Sequence, residues 1–139
     1  MDPARASIVV GGILMLIVGI AHMFFYRIFD WRQVFAKVRV LDAKVFYTLH
    51  VALMLLGLVL AYVSLRHSDE LSRGAGLAGT ITALLAAFWL WRLVWQVVYF
   101  RPRRLQVARR WVMFHYGWIA LFVMLTIAYS LPIAARLLG

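Results

Sequence analysis

The chain has 139 residues, 65% of them hydrophobic and 14% charged, with a net charge of +10. An apolar content so far above the roughly 45–50% of soluble domains excludes an ordinary globular domain and speaks against nucleic acid as the partner of the charge. The absence of cysteine excludes disulfides, thiolate ligands and iron–sulfur ligation, so any metal would be held by His, Met or oxygen ligands.

Asp2 and Pro3 supply N-cap and N1 chemistry for a first apolar stretch over 7–29. Only Arg5 precedes it among basic residues, and no small-x-small cleavage site follows. The stretch is therefore expected to be a retained helix rather than a signal peptide. A short basic segment, "WRQVFAKVRVL", reads as interfacial, and Asp42 is expected to cap a second helix over 43–65. "RHSDELSRGAG" is the one plainly polar turn and is expected to lie in water. A third stretch over 76–100 is stopped by Pro102, and after the run "RPRRLQVARR" a fourth covers 111–134.

Each stretch meets the roughly 20 residues needed to cross a hydrocarbon core. The expected fold is all-α: a single transmembrane domain over 1–139, built as an up-down four-helix bundle of two hairpins. Tyr26, Trp31, Tyr99 and Trp111 fall where interfacial aromatic anchors belong. Basic residues crowd loops 30–42 and 101–110, which places those loops in the cytoplasm and both termini outside. The setting expected is a bacterial inner membrane, with acidic lipid gathered at the basic loops.

Counting inward from the basic-loop ends at about 1.5 Å per residue, His22, His50, Arg92 and His115 fall in one slab roughly 6–12 Å deep. Each helix contributes one member. Ionisable groups in a membrane are costly and normally face the bundle interior and one another, so Arg92 is expected to face the histidines, with Gln96 one turn further along its own face. His67 belongs to the polar turn and is left out. On the same faces, Gly19 and Gly57 would let a neighbouring helix or flat ligand come close, while Trp89, Trp118 and Phe122 could wall a ring. Trp91 lies on a different face from Arg92.

In an up-down bundle the second and fourth helices are diagonal, which would set His50 opposite His115. That pattern is similar in geometry to transmembrane b-type cytochromes, with neutral imidazoles either side of iron and a cation near the propionates. The expected function is a small membrane subunit holding a redox cofactor, haem b being the first choice, and exchanging electrons with quinone or a partner subunit. His50 and His115 would be axial ligands, Arg92 a propionate or quinone-oxygen partner, and His22 a supporting donor or alternative ligand. A chain this small would dock into a larger complex or form a homo-oligomer.

Three other readings use the same residues. The histidines can be polar contacts between helices in a non-catalytic structural or assembly subunit with no cofactor. His22, His50 and His115 can hold a transition metal in a membrane enzyme, against which stands Arg92, a cation without a carboxylate at that depth. Finally, Arg92 can be the principal residue of a pocket that binds a lipid phosphate or a carboxylate through its planar fork, next to the basic run "RPRRLQVARR" that would gather acidic lipid.

Overall fold

A computed structural model describes residues 2–101 and 108–138, and all the regular structure in it is helical. In chain order the elements are α1 (Pro3–Ile28), α2 (Trp31–Phe35), α3 (Val40–Arg66), α4 (Ser68–Ser72), α5 (Gly76–Val98) and α6 (Arg109–Leu138). Of these, α1, α3, α5 and α6 have 26, 27, 23 and 30 residues and are long and apolar enough to cross a membrane. A helix satisfies its own backbone, which is what hydrocarbon demands of any spanning segment.

The helix ends differ from the apolar stretches because hydropathy measures membrane width, whereas a helix runs on until something breaks or caps it. Pro3 is the first residue of α1, and Asp2 Oδ2 accepts from the Arg5 N–H at 3.3 Å, an N-terminal cap in the expected place. Asp42 is not a cap: α3 starts at Val40, and Asp42 sits in its first turn, held by Arg39 through Nε at 2.7 Å and Nη2 at 3.1 Å. A carboxylate there still complements the helix dipole. α5 ends at Val98, before the expected position 100, and α6 runs past 134 through the buried Pro132 to Leu138. The expected stop at Pro102 and most of the basic loop 101–110 lie outside the described residues.

The chain divides into two compact units, Met1–Gly11 with His67–Gly139, and Gly12–Arg66. The opening turns of α1 therefore belong to the first unit and the remainder to the second.

In the first unit α5 and α6 run in opposite directions. Leu85 and Trp89 from α5, with Phe122, Leu125, Ala128 and Tyr129 from α6, form its buried core. Lipid tails are as apolar as leucine, so this packing is held by close van der Waals contact rather than by exclusion of water. The polar turn is tied down locally. Thr82 Oγ1 sits within hydrogen-bonding reach of the carbonyls of Ala78 at 2.9 Å and Leu71 at 3.2 Å, linking α4 to α5. Arg5 Nε pairs with Asp69 at 3.0 Å, and Arg136 donates to the carbonyl of Gly74. Gly74 has a φ of 59°, a left-handed conformation that glycine adopts without a Cβ penalty.

In the second unit α1 and α3 also run in opposite directions, meeting at Gly12 with Ser64 and Leu65 and at Gly19 with Leu58. A Cβ on Gly12 would stand 3.1 Å from Ser64 Cβ, an atom the α3 backbone fixes, so the bare backbone is what lets α3 approach there, whereas a Cβ on Gly19 would meet the movable end of the Leu58 side chain, Cδ2 at 2.6 Å. Gly57, expected to act similarly, has nothing within 4 Å of where its Cβ would be. Between the two helices Asp30 adopts φ 48° and ψ 48°, and this left-handed step turns the chain into α2. The turn carries Trp31 inward. Instead of an exposed interfacial anchor, its ring is 9% exposed and packs against His50 at 4.5 Å, Phe46 at 5.0 Å and Phe35 at 5.6 Å.

Candidate functional site

The expected layer is distributed over the two units, with Arg92, Gln96 and His115 in the first and His22 and His50 in the second. In the first unit, α5 presents Trp89, Arg92 and Gln96 at spacings of three and four residues, the repeat that puts side chains on one helical face. Trp89 is 4% exposed and Gln96 8%. Facing them, α6 supplies His115, also buried, and Phe122 two turns further along.

Gln96 Nε2 donates to His115 Nδ1 at 3.0 Å. This contact fixes the imidazole ring by one nitrogen and leaves the other, Nε2, on the opposite edge. With the amide as placed, Nδ1 holds the lone pair and Nε2 the proton. An amide turned through about 180° occupies the same space. Its oxygen would then accept from Nδ1–H, and Nε2 would hold the lone pair, the state in which histidine ligates metals. Gln96 thereby sets both the orientation of His115 and its tautomer.

Arg92 takes a different partner from the one expected. Its Cζ lies over the Phe122 ring, 4.8 Å from the centroid, and among the described residues no carboxylate, carbonyl or imidazole bonds to it. The guanidinium is planar and weakly hydrated, which suits it to an aromatic face where an acceptor is lacking. Trp89 stacks on the same Phe122 at 5.6 Å with 29° between the rings. Its indole Nε1 is buried and without a hydrogen-bond acceptor among the described residues. Sequence reasoning treated Trp89 as a ring wall and missed this donor; an indole three residues before a membrane-depth arginine was the available signal.

The second unit handles its histidines otherwise. His22 Nδ1 donates to the carbonyl of Val18, one turn back, at 2.7 Å. His50 Nε2 donates across to the carbonyl of His22 at 2.9 Å. The two imidazoles stack at 5.2 Å with 25° between planes, and Phe25 and Trp31 close around His50 at 5.8 and 4.5 Å. Stacked face to face, these rings do not direct their nitrogens at a common atom. The Nε2 of His50, through which a haem ligand usually binds, is engaged for as long as its bond to His22 holds.

Among the described residues no group of three or more His, Cys, Asp or Glu is placed to hold a metal ion, so the three-histidine metal reading finds no cluster to support it. The other aromatics divide by face. Trp91 is 53% exposed and stacks on Trp95 at 5.9 Å, which in turn stacks on Tyr99 at 4.8 Å. This ladder along the outer face of α5 matches the separation of Trp91 from Arg92's face. Compared with protein families, curated proteins and solved structures, the chain matches none.

Proposed function

We propose that the protein is a small integral membrane subunit that holds a redox cofactor, haem b, and exchanges electrons with a quinone or a partner subunit. The observation that carries this is the buried Gln96–His115 pair. With the amide turned so that its oxygen accepts from Nδ1–H, His115 presents an Nε2 lone pair as metal-bound histidines do, and Arg92, one turn before Gln96 on α5, supplies the cation that an acidic cofactor edge requires. His115 is the ligand of the first unit. In the second unit His50 supports the fold, stacking on His22 and donating to its carbonyl. Bound haem would supply one-electron chemistry. The chain's part is to orient the imidazoles, keep water away and fix the local charge.

The setting belongs to the same proposal: an up-down four-helix bundle in a bacterial inner membrane, termini outside, loops 30–42 and 101–110 in the cytoplasm. Much apolar surface is left for lipid or partner helices, including Leu53, Leu55, Leu56, Val59 and Tyr62 along α3, each more than half exposed. Docking into a larger complex or self-association follows from that surface. The test is the optical spectrum of the detergent-purified protein, oxidised and then reduced. A Soret band that shifts on reduction is expected; a colourless protein would refute the haem.

One observation favours a second reading, a structural or assembly subunit without a cofactor. The donors of His22 and His50 are both taken by backbone carbonyls, which is how polar side chains join helices in membranes. In that case the protein is colourless, and its histidine variants differ only in stability.

A further inference from the structure

The first unit buries hydrogen-bond donors for which the described residues supply no acceptor. The Trp89 Nε1–H is one, in a side chain 4% exposed. The half-buried Arg92 guanidinium adds five more N–H groups and a full charge, and its interaction among the described residues is with the π face of Phe122. Both side chains come from one face of α5 and both rest on Phe122. A buried donor left without an acceptor is costly, and an uncompensated charge more so. Acid groups do not resolve this within α5 and α6, because neither helix contains an Asp or Glu. Gln96, the other polar group of this face, has its amide nitrogen engaged by His115, and no bond joins its oxygen to Arg92.

Donors gathered without acceptors, one of them permanently cationic, suit a group that brings oxygens and negative charge. We infer that Trp89 and Arg92 form a binding site for an anionic oxygen group, and that its occupant is the headgroup phosphate of an acidic membrane lipid. The planar fork of Arg92 matches two phosphate oxygens, and the indole N–H takes a third contact of the kind a phosphodiester accepts. The position along the chain favours lipid over a soluble anion. Arg92 lies six residues before the end of α5, roughly 9 Å along a helix, within reach of the interface for a long side chain. The same end of the unit carries the exposed Arg101, Arg109 and Arg110, which concentrate anionic lipid at that surface.

The site does not rest on the haem proposal, although a haem carboxylate would meet the same donors. The full-length protein, labelled with 15N at tryptophan, is placed in phosphatidylcholine nanodiscs with and without phosphatidylglycerol. The Trp89 indole resonance is identified by its loss in Trp89→Phe. Phosphatidylglycerol is expected to move that resonance downfield, and Arg92→Gln to weaken the lipid response about tenfold or more, the usual scale for a charge-assisted bond. Arg92→Lys, which keeps the charge and loses the fork, should retain part of the response and serves if the Gln variant does not fold. Inorganic phosphate added to phosphatidylcholine discs is expected to do little; if it reproduces the shift, the oxygen-anion site stands and a soluble phosphate replaces lipid as its source. An indole resonance indifferent to both, or a phosphatidylglycerol shift undiminished in both Arg92 variants, overturns the site. A colourless protein that shows the shift supports this inference while failing the haem.

Discussion

The two units contain the same kind of residue, a histidine placed by sequence at about the same depth, and they treat it in opposite ways. In the second unit His22 and His50 direct their donors to backbone carbonyls and stack on each other. In the first unit His115 is held by another side chain, Gln96, beside an arginine and an indole whose donors have no acceptor among the described residues. A group satisfied by backbone contributes to packing and asks for nothing more. A group satisfied by a rotatable amide keeps a second protonation pattern within reach, and donors left without acceptors call for a ligand. Chemistry is therefore expected in the first unit and support in the second.

The largest stability effect tests the support. Gly12→Ala would force a Cβ to 3.1 Å from Ser64 Cβ and 2.9 Å from Leu65 Cγ, atoms held close to the α3 backbone, and overpacking of this kind costs typically about 1–3 kcal/mol. Gly57→Ala meets nothing within 4 Å and should be neutral or stabilising by up to about 1 kcal/mol, since alanine favours helix over glycine. Unfolding of both variants in mild detergent with a titrated denaturing detergent measures the difference, and equal behaviour would remove the close approach of α1 and α3 from the account.

Gln96→Leu comes next. It leaves His115 Nδ1 buried without its partner, which costs about 1–3 kcal/mol, and it also frees the ring to turn. The histidine side-chain NMR spectrum should then show His115 in mixed tautomers, where the wild type shows one. His50→Gln should be milder, near the roughly 0.6 kcal/mol average of interhelical hydrogen bonds in a bilayer, because the change removes one bond and one stacked ring. If His50→Gln proves the more damaging of the two, the division between the units is drawn the wrong way round.

How much of this could be read beforehand depended on which physics acts locally. Four membrane-length helices followed from apolar runs alone, and the cap at Asp2 and Pro3 from residue chemistry. Asp42 lies in the first turn of α3 rather than at its cap because aspartate is favoured at both places, so its presence does not say which of them it occupies. Trp31 went wrong because a single left-handed residue, Asp30, redirects the chain, and aspartate announces such a turn only weakly. At the site, periodicity correctly put Trp89 and Gln96 on the face of Arg92 and separated Trp91 from it. It could not show that Gln96 reaches His115, or that Arg92 settles on Phe122. Those pairings depend on the rotation of α5 against α6, which is fixed by side-chain volumes across the whole interface.

The central claim, that His115 is the reactive histidine and His50 a supporting one, is tested most directly by comparing oxidised and reduced optical spectra of wild type, His115→Gln and His50→Gln at matched protein concentration. A haem spectrum is expected in the wild type, its loss or gross alteration in His115→Gln, and bands of nearly wild-type position and intensity in His50→Gln. An unaltered spectrum in His115→Gln, or no chromophore in the wild type, would contradict that claim.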